Sequence, residues 1–398
     1  MHKVVITSAG AVSPLGGNFE ENMLNLASGF KGIGNIENFD TTYFPVRVAG
    51  EAHNNGKVIR TETDIDRKAQ FINYSVSEII NKSSLNKYKP EDRALYLGAG
   101  IDYFNIKGYL DSPGAKMHEW NEFCLRSSEV VRILADKNDI KGGYFTNVSA
   151  CVASTQAIGL AYRLIKKNPP MAVIAGGFDS MLSHLHYLGF YKLGALSTWD
   201  GSPEESCRPF DKNRCGLVIG EGASAYLLES SNNAGKSNIL AEIVGYGSTM
   251  DSYMVTDPHP DGTYLAKAAM IAIKEAGITP NDIDCVHAHE TGTYRNALAE
   301  AQALKIIFGG RFTEIPVYSL KGQVGHLIGA CGALEILGVI DSLLHQRVLP
   351  TVNFFDKDPE VPLNVITGKP LNMKINYILK LNAAFGGQNA ALVFKKYE

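Results

Sequence analysis

Cys151 sits in NVSACVASTQAIGLAYRL, where a polar loop runs into a helical pattern of small residues. A thiol at the start of a helix can serve as a nucleophile. The unpaired N–H groups and the positive dipole end there favour thiolate, so a lowered Cys151 pKa is expected. The same pattern fits a cysteine that only packs. His289 lies in CVHAHETGTYRNALAE, after an apolar, strand-like stretch and before Thr291 and Thr293. An imidazole at a strand end can donate to a developing enolate oxygen, and the threonine hydroxyls can hold an amide-rich arm. A histidine satisfied by its own loop fits equally, and His287 shares a face with His289 on an extended chain, so spacing does not choose between them. His326 opens a second small-residue helix in SLKGQVGHLIGACGALEIL, with Lys321 before it and Glu335 within it. The alternative there is a helix-capping histidine between two solvated charges. Near the C-terminus, LNAAFGGQNAALVF sets Phe385 beside a glycine pair, which lets backbone approach a ligand or simply turns the chain. Taken together, one cysteine and two loop histidines describe a thiol nucleophile flanked by imidazoles.

Elements must bring these segments together. Strand-like VVIT (4–7) is followed by a turn at Pro14, Gly16 and Gly17 and an amphipathic stretch from about Phe19. The apolar runs ALYLGAG (94–100), MAVIAGGFDS (171–180) and ASAYLLES (223–230) are separated by helix-length segments, which predicts an α/β layered architecture. The chain also resembles itself. VSACVASTQAIGLAYRLI (148–165) matches VGHLIGACGALEILGVI (324–340), so Cys151 and His326 stand in equivalent places of a duplicated half. IGEGASAYLLES (219–230) matches FGGQNAALVFKK (385–396), and ITSAGAVSPLG matches the segment around EIVGYGST more weakly. The polar connection SSNNAGKSN (230–238) puts the boundary near residue 235, giving halves 1–235 and 236–398 within one body.

Composition narrows the function classes. A chain of 398 residues, 45% hydrophobic and 20% charged, is that of an ordinary globular protein. The N-terminal segment lacks the basic and apolar regions of a signal peptide, and no run reaches ~18 uninterrupted apolar residues, so a cytoplasmic protein without membrane insertion is expected. Six scattered cysteines without CxxC pairs argue against a disulfide frame or a zinc site. A net charge of −3 with dispersed basic residues gives no nucleic-acid surface.

With these residues on the page, the chain resembles the β-ketoacyl-acyl carrier protein synthases, in particular the elongating class with two histidines, within the thiolase superfamily. The resemblance runs from Met1 to Lys396 through VVITSAGAVSPLG, IENFDTTYFPVRVAGE, SACVAS, RPFDKNRCGLVIGEGA, DPHPDG, HETGT with EAQAL, KGQVGHLIGACGALE and FGGQNAALVF. It implies a duplicated α/β fold, layered α-β-α-β-α, with two pseudo-symmetric halves. It implies decarboxylative Claisen condensation: an acyl group moves from a carrier thioester to Cys151, and the enolate left when malonyl carrier loses CO2 attacks it. By the same resemblance His289 and His326 donate to the enolate through Nε2, Lys321 pairs with Glu335, and Thr291 and Thr293 contact the pantetheine arm. Phe385 gates the pocket, and its peptide N–H forms an oxyanion hole with that of Cys151. No cofactor or metal is implied. The partners implied are acyl carrier protein and a second subunit, as a homodimer or a heterodimer with a synthase-like chain. Arg67 and Lys68 fall near the family's carrier-docking region.

Four positions depart from the family pattern. Glu290 replaces a glycine of the HGTxT loop, Ala297 and Cys215 stand where aspartates are usual, and AAFGG replaces FGFGG. These bear on substrate and pathway, fatty acid against polyene or other polyketide, more than on reaction type. A noncatalytic chain-length factor would be expected to lose the nucleophile, which is retained. A thiolase would carry a second cysteine near the C-terminus, and none follows Cys331.

Overall fold

The computed structural model describes residues 2–60, 64–104, 124–235 and 239–398. Its strands, in chain order, are β1 (Val4–Val12), β2 (Arg93–Ala99), β3 (Tyr144–Val148), β4 (Ala172–Asp179), β5 (Gly222–Ser230), β6 (Ala241–Met250), β7 (Cys285–His287), β8 (Pro316–Tyr318), β9 (Asn364–Val365), β10 (Tyr377–Ala383) and β11 (Gln388–Lys395). The longer helices are α1 (Phe19–Ser28), α2 (Asp64–Lys82), α3 (Ser127–Lys137), α4 (Ala153–Lys167), α5 (His184–Lys192), α6 (Thr263–Glu275), α7 (Tyr294–Phe308) and α8 (Ile336–His345). The predicted strands 4–7, 94–100, 171–180 and 223–230 are all present, as β1, β2, β4 and β5. β4 and β5 read as continuous apolar runs because every one of their residues is buried, as expected for strands covered on both faces.

The hydrogen-bonded order is β9-β8-β7-β10-β11-β6-β1-β5-β4-β2-β3. It divides at β1 and β6, which pair antiparallel through Val4–Ile243, Val5–Glu242 and Ile6–Ala241 alone. Each side then repeats one scheme: β1 pairs antiparallel with β5 as β6 does with β11, and each of these pairs leads on to parallel strands, β4-β2-β3 on one side and β10-β7-β8 on the other. Three apolar clusters fill the spaces between layers. One lies between α2 and α3 and the first set of strands, and one between α6 and α7 and the second set. The largest is central, where α4 and α8 are enclosed between the two sets of strands. This is the α-β-α-β-α layering, and it buries both small-residue helices at the middle of the molecule. Among the described residues the stretch Ile328–His345 is long and apolar enough to cross a membrane, and it is 89% buried in this central layer. The last three residues of the SSNNAGKSN connection, 236–238, lie outside the described residues.

Two expectations about α2 and the repeat are corrected. Arg67 and Lys68 do not form an exposed patch: each is 2% exposed on the inner face of α2. Arg67 grips both oxygens of buried Glu221, with Nε at 2.6 Å from Oε2, and Lys68 Nζ donates to the Ile101 carbonyl at 2.8 Å. A buried, paired guanidinium offers nothing to an approaching acidic protein. The repeat, in turn, is one of backbone and not of reactive atoms. The 3₁₀ turns Ala150–Val152 and Ile328–Ala330 each begin at a left-handed residue, with φ of 49° at Ala150 and 47° at Ile328, and each runs into a helix. Cys151 therefore corresponds to Gly329, and His326 stands three residues before it.

Candidate active site

β3 ends at Val148, and the chain bends through Ala150 so that Cys151 heads the turn into α4. The bend keeps Cys151 at the floor of a cavity of about 590 Å³, which is also lined by His289, His326, Thr291, Thr293 and Phe385. The peptide N–H groups of Phe385 and of Cys151 itself donate toward Sγ. The lowered pKa expected from the helix N-terminus is not met. Burial pushes the Cys151 thiol up to about 12, against the opposing pull of Lys321 and the two N–H groups. Desolvation penalises thiolate throughout the buried side chain, and the dipole of one helix end does not offset it. Cys151 thus rests as a neutral thiol, and His326 Nε2 lies 3.0 Å from its sulfur.

His326 is fixed by its backbone. Its N–H donates to Val218 O at 2.7 Å and its carbonyl accepts from Gly220 at 2.9 Å, while Gly325 before it takes a φ of 74°. On the far side of the ring, Nδ1 faces Cys331 Sγ at 3.0 Å. Behind this lies a buried charge cluster. Lys321 Nζ bonds Glu335 Oε1 and the His289 carbonyl, and Lys380 Nζ reaches Glu335 Oε2 at 3.0 Å. Burial opposes the Glu335 carboxylate, but the two ammonium groups overcome it and hold its pKa well below the usual range. Burial also works against the Lys321 ammonium, yet the Glu335 carboxylate holds its pKa up. Lys380 moves the other way: burial, joined by repulsion from Lys321, lowers its pKa despite the opposing pull of Glu335. Both imidazoles stay neutral: burial, reinforced by Lys321, lowers His326 to about 3 and His289 well below its ordinary value.

His289 follows the end of β7, and its ring meets that of His326 edge to face at 5.3 Å between centroids. Its loop is tied down by Glu300 on α7, whose carboxyl accepts from the His289 N–H at 2.6 Å and the Glu290 N–H at 3.0 Å. Glu290 is itself wholly buried. It accepts from the N–H groups of Phe210 at 3.0 Å and Gly292 at 3.3 Å and from the Asn296 amide at 3.1 Å, so this departure from the family pattern braces the loop from within. Thr291 and Thr293 hydroxyls lie 3.0 Å apart on the cavity wall. Phe385 is half-buried at the start of a turn whose Gly386 and Gly387 both have φ of 77°, and the Gly386 N–H donates to Val255 O at 2.7 Å. A Cβ at Gly387 would lie 2.1 Å from Asp251 Oδ1, so the turn requires glycine there.

The structure brings Cys151, His289, His326, Lys321 and Glu335 into one contiguous cluster, with the threonines and Phe385 at its cavity. It separates the two histidines that spacing left open. His287 ends β7 with its ring against Tyr318 at 4.6 Å and does not line the cavity. Sequence reasoning missed Lys380, Asn382 and Cys331. A usable signal existed for the first two: a lysine and an asparagine two apart in the apolar strand YILKLNA point to one face.

Comparison with known proteins accounts for the whole chain. Residues 1–234 match the profile described as "Beta-ketoacyl synthase, N-terminal domain", and residues 240–355 match "Beta-ketoacyl synthase, C-terminal domain". The 3-oxoacyl-[acyl-carrier-protein] synthase 2 of Staphylococcus aureus (strain COL) is 34% identical, covering 100% of this chain and 99% of its own. The protein of the same name from a Synechocystis species is 31% identical over 100% and 98%. Among solved structures, a β-ketoacyl synthase from Burkholderia phymatum superposes with a TM-score of 0.85 at 28% identity, covering all of both chains. The ishigamide ketosynthase/chain length factor does so with a TM-score of 0.88 at 26% identity, again over the full length of both.

Proposed function

The chain belongs to the β-ketoacyl synthase family, and from that premise we propose that Cys151 carries the growing acyl group while the paired histidines serve the two half-reactions around it. The protein is a condensing acyltransferase of fatty acid or polyketide chain elongation. The observation that carries the site assignment is the convergence on one sulfur: His326 Nε2 at 3.0 Å and the N–H groups of Phe385 and Cys151, all at the floor of the cavity.

In acyl loading, Cys151 Sγ attacks the carrier thioester, the Phe385 and Cys151 N–H groups stabilise the tetrahedral oxyanion, and the carrier thiol leaves. In condensation, malonyl carrier loses CO2, and its thioester enolate is stabilised by donation from His289 Nε2. The enolate carbon then bonds to the acyl-Cys151 carbonyl carbon, the C–S bond to Cys151 breaks, and the departing thiolate takes a proton from water. Lys321 and Glu335 hold His289 from behind, and Thr291 and Thr293 receive the pantetheine arm. Phe385, on its glycine turn, admits the second carrier after acylation.

The relatives' names supply the partner: acyl carrier protein, bearing acyl and malonyl groups, is the proposed donor of both substrates. A second subunit is proposed at β3, which among the described residues is an edge strand of the large sheet, with Tyr144 and Val148 each 49% exposed. An open edge of this kind favours pairing with another chain. A homodimer or a heterodimer with a synthase-like chain fits, as a ketosynthase/chain length factor is among the structural relatives. The pseudo-symmetric halves 1–235 and 236–398, and a cytoplasmic location, are part of the same proposal.

The test offers the purified protein a panel of acyl carriers with malonyl carrier and reads the enzyme and its products by mass spectrometry. An acyl adduct on wild type that is absent from Cys151→Ala is expected. An adduct that survives Cys151→Ala at the wild-type rate would falsify the assignment.

A further inference from the structure

The two active-site histidines differ in what their Nδ1 atoms face. At His289, among the described residues, the partners of Nδ1 are donors only. Asn382 Nδ2 lies at 3.2 Å and the Lys321 ammonium at 3.4 Å. The Asn382 amide has one orientation, because its oxygen receives Lys380 and the Thr155 hydroxyl at 2.6 Å while its nitrogen donates to Glu335 Oε2 at 2.9 Å. Nδ1 of His289 therefore accepts, and its proton sits on Nε2, facing the cavity.

At His326 both ring nitrogens face thiols, Cys151 at Nε2 and Cys331 at Nδ1, each at 3.0 Å. A thiol can donate or accept, so neither contact fixes the tautomer by itself. Among the described residues Cys331 has one further hydrogen-bond partner, Glu335 Oε1 at 3.6 Å, and a carboxylate only accepts. Burial keeps the Cys331 sulfur protonated, and burial, reinforced by Lys321, keeps His326 from taking a second proton at rest.

We propose that Cys331 is a positioning residue that holds His326 in the tautomer opposite to that of His289, through a relay Cys151–His326–Cys331–Glu335. In this relay the Cys331 S–H points to Glu335, its sulfur accepts the Nδ1–H of His326, and Nε2 is left as a base facing the Cys151 thiol. The inference rests on the reading of Cys151 as nucleophile and divides labour between the histidines. During loading, the Cys151 proton passes to His326 Nε2 as the new S–C bond forms. The carrier's C–S bond breaks, and the departing sulfur takes the proton from Nε2, restoring the neutral ring. His289, the fixed donor, meets the enolate in the following step. For His326 this proposal departs from the expectation that both histidines donate through Nε2.

The test combines ¹⁵N NMR of histidine-labelled protein with separate rates for the two half-reactions, in wild type, Cys331→Ala and Cys331→Ser. In wild type, His326 should carry its proton on Nδ1 and His289 on Nε2. In Cys331→Ala the Nδ1–H loses its acceptor, so the His326 proton should shift toward Nε2. Loading should then slow about tenfold, part of the 10²-fold or more that a positioned base contributes, with the KM for acyl carrier unchanged. Malonyl decarboxylation by the acylated enzyme should stay within about twofold, because His289 carries that step. Cys331→Ser, which can still accept from Nδ1 and donate to Glu335, should restore the tautomer and most of the loading rate. An Nε2–H tautomer at His326 in wild type overturns the proposal. So does an equal fall of both half-reactions in Cys331→Ala, or a serine variant no better than alanine. If wild type forms no adduct on Cys151, the underlying reading fails instead, and the tautomers are still read directly by NMR.

Discussion

In the N-terminal half, the turn Ala150–Val152 feeds α4, a helix whose first turns, Ala153 to Ile158, are small, apolar or neutral polar residues. In the C-terminal half the same turn, Ile328–Ala330, leads through Cys331 to Glu335, a carboxylate gripped by two buried lysines. Counting from each turn, Glu335 stands where the first half has Ala157. One half places the nucleophile on a cheap, well-packed helix. The other concentrates the buried charge that positions His289, while burial, reinforced by Lys321, keeps both imidazoles neutral. Duplication supplied the same backbone bend twice, and each copy came to hold one part of the chemistry.

The comparison breaks first at the histidines. His289→Ala should load Cys151 normally and condense roughly 10²- to 10³-fold more slowly, the loss expected for one oxyanion donor. His326→Ala should instead be slow in loading, because its Nε2 is the group at the thiol. Intact-protein mass spectrometry would then show acyl-enzyme accumulating in the first variant and not in the second. Equal accumulation in both would remove the division of labour.

Between the halves themselves, the matched pair of positions 335 and 157 sharpens the contrast through stability. Glu335→Gln leaves Lys321 and Lys380 without their counter-charge and should cost about 3–5 kcal/mol, as for other broken buried pairs. Ala157→Gly, at the equivalent place in α4, should cost about 1 kcal/mol from helix propensity. Denaturant unfolding of the two variants checks this. A smaller loss at 335 than at 157 would mean that the charge cluster is not what the C-terminal half pays to maintain.

A smaller effect is expected at Asn382, which fixes the His289 tautomer without touching the cavity floor. Asn382→Ala removes one hydrogen bond to Nδ1, worth about 1 kcal/mol, so condensation should fall about fivefold while loading is unchanged. Parallel rates for both half-reactions decide the matter, and a fall in loading alone would contradict it.

Much of this was legible before any coordinates. Hydrophobic runs placed β1, β2, β4 and β5, since strands buried on both faces are written as continuous apolar sequence. Self-similarity exposed the repeat. The motif residues Cys151, His289, His326, Lys321 and Glu335 were named from loop and helix context and meet in one cluster. Other features left no local trace. Lys380 and Asn382 reach the site from β10, and Cys331 gains a role only because His326 turns its second nitrogen toward it.

The sequence by itself determined which side chains were present, their local period and the turn-to-helix context of each. These follow from chemistry within a few residues of each position. Tertiary structure decided everything that depends on burial or on distance between remote segments. It made Cys151 a protonated thiol, because desolvation in the central layer outweighs a helix dipole. It hid Arg67 and Lys68 against Glu221 and Ile101, where period alone showed two charges on a helix. It set His289 on the cavity wall and His287 against Tyr318, a separation that spacing alone left open. It also set a donor-only amide at one imidazole and a thiol at the other, and that contrast in partners depends on packing across the whole chain.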